Sequence, residues 1–169
     1  MQEQQALPDS AQRVADLLAA LQHDKPVVML PDAARTAAEA AAGLGCSVAE
    51  IAKSIIFRRL SDNAPVLVVA SGSNRVDESK VAAQVGALGK ADAKFVRDNT
   101  GYVIGGVCPI GHAVKPVMLL DQDLFRHASI WAAAGHPHAL FNLTARQLQD
   151  MTGAPMADVA LAAVTSNPD

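Results

Sequence analysis

Aromatic residues are scarce, at 4% of 169 residues, with one Trp and one Tyr. That scarcity excludes a nucleic-acid binder built mainly on base-stacking platforms. Positive charge is not in excess either: 14 Lys and Arg stand against 17 Asp and Glu, for a formal net charge of −3. A broad basic footprint on duplex DNA is thereby excluded, while a local pocket for a few phosphates stays open. Cysteine is limited to Cys46 and Cys108, which form neither a CxxC motif nor a disulfide framework. Reduced thiols and a cytoplasmic location are expected. No apolar run approaches the roughly 18 residues of a membrane helix. The opening MQEQQALPDS lacks the basic-then-apolar pattern of a signal peptide. No repeat or low-complexity linker divides the chain.

What is present is a chain that is 50% hydrophobic, although 33 of its residues are alanine, so its apolar volume is thinner than that fraction suggests. A core is still attainable, since a domain of about 150 residues buries roughly 70% of its unfolded surface. The expected organisation is a flexible tail over 1–9, one domain over 10–160 and a C-terminal tail over 161–169.

Local signals alternate between helix and strand. Ser10 is positioned to cap a first helix carrying Val14, Leu17, Leu18 and Leu21. Val27–Leu30 reads as a short strand before a turn at Pro31–Asp32. Thr36 with Glu39 reads as a capping box, opening an alanine-rich helix that stops at Gly43 or Gly45. Ser47 with Glu50 repeats the pattern for one short turn. Ile51–Phe57 and Pro65–Ala70 read as strands joined by a turn at 61–64. Asp77 begins a helix with Val81, Val85 and Leu88 on one face. Ala93–Val96 reads as a short strand or a helix start. Pro116 places the strand Val114–Leu120 near a sheet edge. Ser129–Ala133 and Ala139–Leu143 form a hairpin across Gly135-His136-Pro137, and Thr144 caps a last helix. The sum is a single α+β domain with a mixed, mostly antiparallel sheet flanked by helices.

Four segments carry candidate chemistry. Lys53 shares a strand face with Ile55 and Phe57. A lysine there must snorkel, pair with an anion or lose its charge, and a strand-end lysine reaching solvent is the plain alternative. Thr100 to Gly111 holds four glycines and Pro109 in an apolar stretch; it reads either as a packed turn or as a loop offering N–H donors to a ligand. It matches neither a P-loop nor a dinucleotide fingerprint. Cys108 with His112 raises a thiol nucleophile and its base, against the reading of Cys108 as a small apolar residue. His127, His136 and His138 raise a metal site, but no acidic or thiol ligand stands at a familiar spacing, so no metal and no cofactor are expected. Arg75 is placed to meet a phosphate, whereas Lys80 reads as a surface residue. Neither a GxSxG elbow nor an HExxH motif is present.

Taken together, Arg35-Thr36-Ala37-Ala38-Glu39-Ala40-Ala41, Ile51-Ala52-Lys53-Ser54-Ile55-Ile56-Phe57, Arg75-Val76-Asp77 through Lys80, Thr100-Gly101-Tyr102-Val103-Ile104-Gly105-Gly106-Val107-Cys108-Pro109-Ile110-Gly111 and Ala133-Ala134-Gly135 resemble the YbaK/ProX family. These are aminoacyl-tRNA deacylases related to the editing domain of bacterial prolyl-tRNA synthetases. The resemblance spans roughly residues 10–160 and implies a strongly curved sheet. It implies a free-standing enzyme, acting in trans, that hydrolyses the ester of mischarged tRNA, tRNA for proline above all, with prolyl-tRNA synthetase as a partner. The family's lysine falls on Lys53 and its GxxxP loop on Gly105 to Pro109. Catalytic roles are thereby implied for Lys53, Gly105 and Gly106, and substrate contacts for Thr36, Ser54, Arg75, Tyr102, Pro109, Gly135 and His136. An activated ester needs orientation and oxyanion stabilisation more than a strong nucleophile, which agrees with the missing triad. Gripping only the acceptor end needs few phosphate contacts, in keeping with the net charge. The amino acid removed stays open among alanyl, cysteinyl, seryl, threonyl and non-protein esters. A non-catalytic module binding an aminoacyl end or a synthetase is the alternative.

Overall fold

The computed structural model describes residues 6–32 and 36–162. The sequence-expected tails therefore lie largely outside it, as does Arg35. The first helix, α1 (Asp9–Ala20), starts one residue before Ser10, with Pro8 at the N-cap and no side-chain cap. Ser10 is the second residue of the helix and so lies inside its first turn, while Pro8, with φ −53° and ψ 150°, holds the N-cap position. α1 seals the sheet with Ala11, Val14 and Leu18, and Leu7 packs on the same core.

β1 (Val27–Met29) leads to α2 (Ala37–Leu44). Thr36 Oγ1 accepts from the Glu39 N–H at 3.1 Å, and Gly45 in the left-handed region ends the helix. Gly43 lies inside the helix, where an added Cβ would meet Leu30 Cδ1 at 3.0 Å. A 3-10 turn over Val48–Glu50, with the Ser47/Glu50 capping box, delivers the chain into β2 (Ile51–Arg59). β3 (Pro65–Ser71) returns antiparallel in unbroken register from Arg58–Pro65 to Ala52–Ser71, and every one of its residues is buried.

α3 (Glu78–Val85) is capped by Asp77 and ends at Gly86, so Leu88 belongs to β4 (Leu88–Lys90) rather than to the helix. α4 runs from Ala93 to Thr100 and settles that ambiguous segment as helix. β5 (Val117–Asp121) starts just after Pro116 and pairs parallel with both β3 and β8 (Met156–Ala157). It lies near the sheet edge as expected, since only Leu120 and Asp121 pair with the two-residue β8, and Pro116 precedes the ladder and costs it no donor. β6 (Ile130–Ala133) and β7 (Ala139–Leu143) form the expected hairpin. α5 (Ala145–Thr152) carries a full Thr144/Gln147 capping box.

The strands make one 8-stranded sheet in the order β1-β7-β6-β2-β3-β5-β8, with β4 branching from β2. The result is a mixed, curved sheet flanked by helices. Antiparallel hairpins supply the local pairs, and β2–β6, β3–β5 and β5–β8 are parallel. One face packs a large core around Leu67, Leu120, Phe141 and Leu148. The other carries smaller clusters around Val66, Val68 and Val81 and around Ala40, Ala41 and Ile51.

Candidate functional site

β2 changes neighbours midway, and a cavity of about 380 Å³ opens there. Its floor is Ile51 to Ile56, and its walls come from Thr36 and Ala37, from Ile104 and Gly105, and from His136 and Pro137. Of the sequence-expected site residues, Thr36, Lys53, Ser54, Gly105 and His136 meet at this one cavity. A larger hollow of about 1240 Å³ between α1 and β1 holds none of them.

Lys53 sits within the strand, half-buried, and not at the strand end. Burial pushes its ammonium below the ordinary lysine range, the Arg75 guanidinium adds to that, and Asp121 opposes it. None of the ion pairs among the described residues includes Lys53. A partly dehydrated cation beside a second cation favours an incoming anion. Arg75 is exposed on the 72–77 loop and its carbonyl accepts from the Leu161 N–H at 2.7 Å. Buried Asp121 fixes that loop by accepting from the Ser71 N–H at 3.0 Å and the Asn74 amide at 2.8 Å.

The glycine-rich segment separates into a tip and an anchor. At the tip, the Gly106 N–H donates to the Val103 carbonyl at 3.0 Å. Gly105 has φ +96°, while Ile104 is not among the positive-φ residues, which defines a type II turn. The turn holds Ile104, 62% exposed, at the cavity mouth. It also corrects one expectation: the Gly106 N–H is committed within the turn and is not an oxyanion donor. The Gly105 N–H has no backbone acceptor among the described residues. Gly106 instead permits close approach, since a Cβ there would meet His136 N at 2.9 Å.

Tyr102 belongs to the anchor. It is buried, donates to the Ile110 carbonyl at 2.7 Å and lies under the Arg13 guanidinium, 4.5 Å from the ring centroid. Tyr102 and the buried Pro109 shape the loop from behind and do not line the cavity. Gly135, with φ +87°, faces α1: a Cβ there would meet Ser10 O at 2.6 Å. It positions His136 and touches no part of the cavity itself.

Cys108 is fully buried, and that burial pushes its thiol up to about 12. His112 bonds the Cys108 carbonyl at 2.6 Å through Nε2. The pair is therefore a packing contact, and a thiolate nucleophile at neutral pH is excluded. The His138 N–H donates to His136 Nδ1 at 3.1 Å, and His138 Nδ1 bonds the Leu30 carbonyl at 3.0 Å. Among the described residues no group of three His, Cys, Asp or Glu is arranged to hold a metal.

Sequence reasoning passed over Ile56, Ala91, Ile104 and Pro137 as cavity walls, and Asp121 as the loop's anchor. Asp121 alone left a signal, as a carboxylate closing an apolar strand.

Residues 31–151 match the model of the aminoacyl-tRNA editing domain family, and the chain belongs to that family. A crystal structure described as a candidate trans-editing enzyme for prolyl tRNA synthetase is 40% identical, with a TM-score of 0.87 over 92% of this chain and 99% of its own. The crystal structure of hypothetical protein APE2540 is 30% identical, with a TM-score of 0.79 over 88% and 99%. The uncharacterized protein YwhH of Bacillus subtilis (strain 168) is 34% identical over 118 residues, 69% of this chain and 74% of that protein.

Proposed function

We propose that this chain is an aminoacyl-tRNA deacylase of the YbaK/ProX kind. It hydrolyses the ester of mischarged tRNA for proline, in trans to prolyl-tRNA synthetase and in the cytoplasm where that error arises. The observation that carries the reading is Lys53: a partly dehydrated ammonium with no ion-pair partner among the described residues, lining a mostly apolar cavity. Lys53 takes the phosphate of the terminal nucleotide, and Arg75 near it meets a second phosphate of the acceptor end. The aminoacyl group enters the cavity past Ile104 and Pro137. The Gly105 N–H donates to the oxyanion as the carbonyl becomes tetrahedral. The attacking oxygen is a water, oriented by the ribose 2′-hydroxyl; it adds to the acyl carbon, and collapse breaks the ester C–O bond as the water's proton passes to the departing ribose 3′-oxygen, so the enzyme supplies position and charge and no covalent nucleophile.

The test is deacylation of a panel of 3′-labelled aminoacyl-tRNAs by wild type and by Lys53→Ala. The expected result is hydrolysis of one or a few esters on tRNA for proline, with kcat/KM falling about 100-fold in the variant, or ~2.7 kcal/mol. Full activity in Lys53→Ala would remove the lysine from the mechanism. No hydrolysis across the panel by folded protein would assign the cavity to a binding module.

A further inference from the structure

On the side away from β3, β2 has two partners with a gap between them. Ile51 and Ala52 pair with β6, and Phe57 to Arg59 pair with β4. Among the described residues, Lys53 to Ile56 pair only with β3. The register with β3 is continuous, so backbone groups alternate from edge to edge along β2. The Arg59 N–H bonds the Ala64 carbonyl on the β3 side, and the Leu60 N–H bonds the Ala87 carbonyl on the β4 side. Even-numbered positions of β2 therefore aim their N–H and C=O groups away from β3. At Ser54 and Ile56 those groups enter the gap, and the cavity occupies it, walled by Ala91 after β4 and Ala133 at the end of β6.

Among the described residues, the Ser54 N–H, the Ser54 C=O and the Ile56 N–H have no hydrogen-bond partner. The Ser54 hydroxyl is buried there and also lacks one. Backbone groups in mid-sheet are otherwise nearly always paired. The gap is thus a missing rung, with an acceptor at Ser54 and a donor at Ile56. A neighbour in parallel alignment uses that spacing: its N–H meets the carbonyl of one residue, and its C=O meets the N–H two residues on.

We infer that the main-chain atoms of the aminoacyl group fill this rung. The α-ammonium donates to the Ser54 carbonyl, and the acyl oxygen accepts from the Ile56 N–H alongside Gly105. This inference rests on the deacylase reading and narrows its substrate class: esters that carry an α-nitrogen donor are taken, and acyl esters without one, such as a propionyl ester, are refused. Recognition of this kind reads what all amino acids share, and leaves the apolar walls to read the side chain.

The probe is alanine joined by an amide to 3′-amino-3′-deoxyadenosine, which cannot be hydrolysed as an ester, together with its propionyl counterpart, which lacks the α-amine. Amide hydrogen exchange of the full chain is followed by NMR. In the free protein, Ser54 and Ile56 exchange at least about 10-fold faster than Lys53 and Ile55, which face β3. The free-amine probe slows Ile56, whose N–H it engages, by a similar factor, and the propionyl probe at the same concentration does not. In the kinetic arm, with each rate divided by that of uncatalysed hydrolysis, propionyl-tRNA has a kcat/KM about 10–100-fold below that of alanyl-tRNA, the loss of one charge-assisted hydrogen bond. Ser54→Ala keeps that preference, because the carbonyl is the acceptor; its disappearance would hand recognition to the hydroxyl and overturn the inference. Equal enhancement of both esters, or an unchanged Ile56 amide at the highest probe concentration, overturns it while leaving deacylation intact. A protein that hydrolyses no aminoacyl-tRNA but shows the selective protection retains the rung and loses the deacylase reading.

Discussion

At the scale of single residues, Lys53 sets function against stability. Its folded-state pKa is lowered, chiefly by burial. Between that lowered value and the ordinary lysine value of about 10.4, the unfolded chain holds more protons than the folded one, so stability rises with pH across the window. Below the window the charged lysine is a net cost to the fold. Lys53→Met should therefore raise Tm at pH 7, with the advantage shrinking as pH climbs above the folded value. Melts at pH 7 and pH 10 check this, and a lower Tm in the variant at pH 7 would contradict it. His112 has the same sign for a different group. Burial lowers its pKa, and because a carbonyl only accepts, Nε2 carries the proton while buried Nδ1 has no partner among the described residues. As pH falls below about 6.5, the unfolded chain takes up a proton that the folded chain resists, and stability is lost. His112→Gln keeps a donor and does not titrate, so its urea midpoint should fall less than the wild type's between pH 6.5 and 5. An equal fall in both would remove His112 from the acid response.

At the scale of elements, local chemistry was legible and long-range pairing was not. Thr36, Asp77 and Thr144 marked helix starts because their side chains accept from free N–H groups within three residues, and Ser47 marked a turn start through the Glu50 carboxylate, which accepts from its N–H and hydroxyl. The hairpins β2–β3 and β6–β7 were legible through their turns. Leu88 was misread because its spacing continues the helical face of α3, while Gly86 had already ended the helix. Pro116 pointed to the sheet edge, where β5 does lie, but it did not reveal the two-residue β8 that pairs with Leu120 and Asp121. The parallel pairs leave no local trace, so the gap in β2 could not be seen in sequence. The glycines were legible as a cluster, but each has its own reason. Gly106→Ala places a Cβ 2.9 Å from backbone N of His136 and should cost about 1–3 kcal/mol by overpacking, while shifting the His136–Pro137 turn. Gly45→Ala has open space around it and should cost only about 1–2 kcal/mol of left-handed strain, with no change at the cavity. Urea denaturation with amide spectra of both variants separates the cases; undisturbed His136 and Ala139 amides in Gly106→Ala would contradict the contact.

At the scale of the whole molecule, charge decides how the substrate is held. The chain carries a net charge of −3, so no broad electrostatic field draws tRNA to its surface. The proposed phosphate contacts come down to Lys53 and Arg75, brought near each other because the Asp121 network fixes the 72–77 loop beside β2. Two phosphate contacts on a single-stranded acceptor end give a slope of log affinity against log salt near −1.4, at about −0.7 per contact. A basic face tracking the acceptor stem would give a much steeper one. Titrating 1/KM for a mischarged tRNA from 50 to 300 mM salt should therefore return a slope between about −1 and −2, and Lys53→Met should reduce its magnitude by about 0.7. A slope beyond about −4 would mean that the tRNA body is gripped by surface charges elsewhere, and that the cavity receives an end already held by the rest of the molecule.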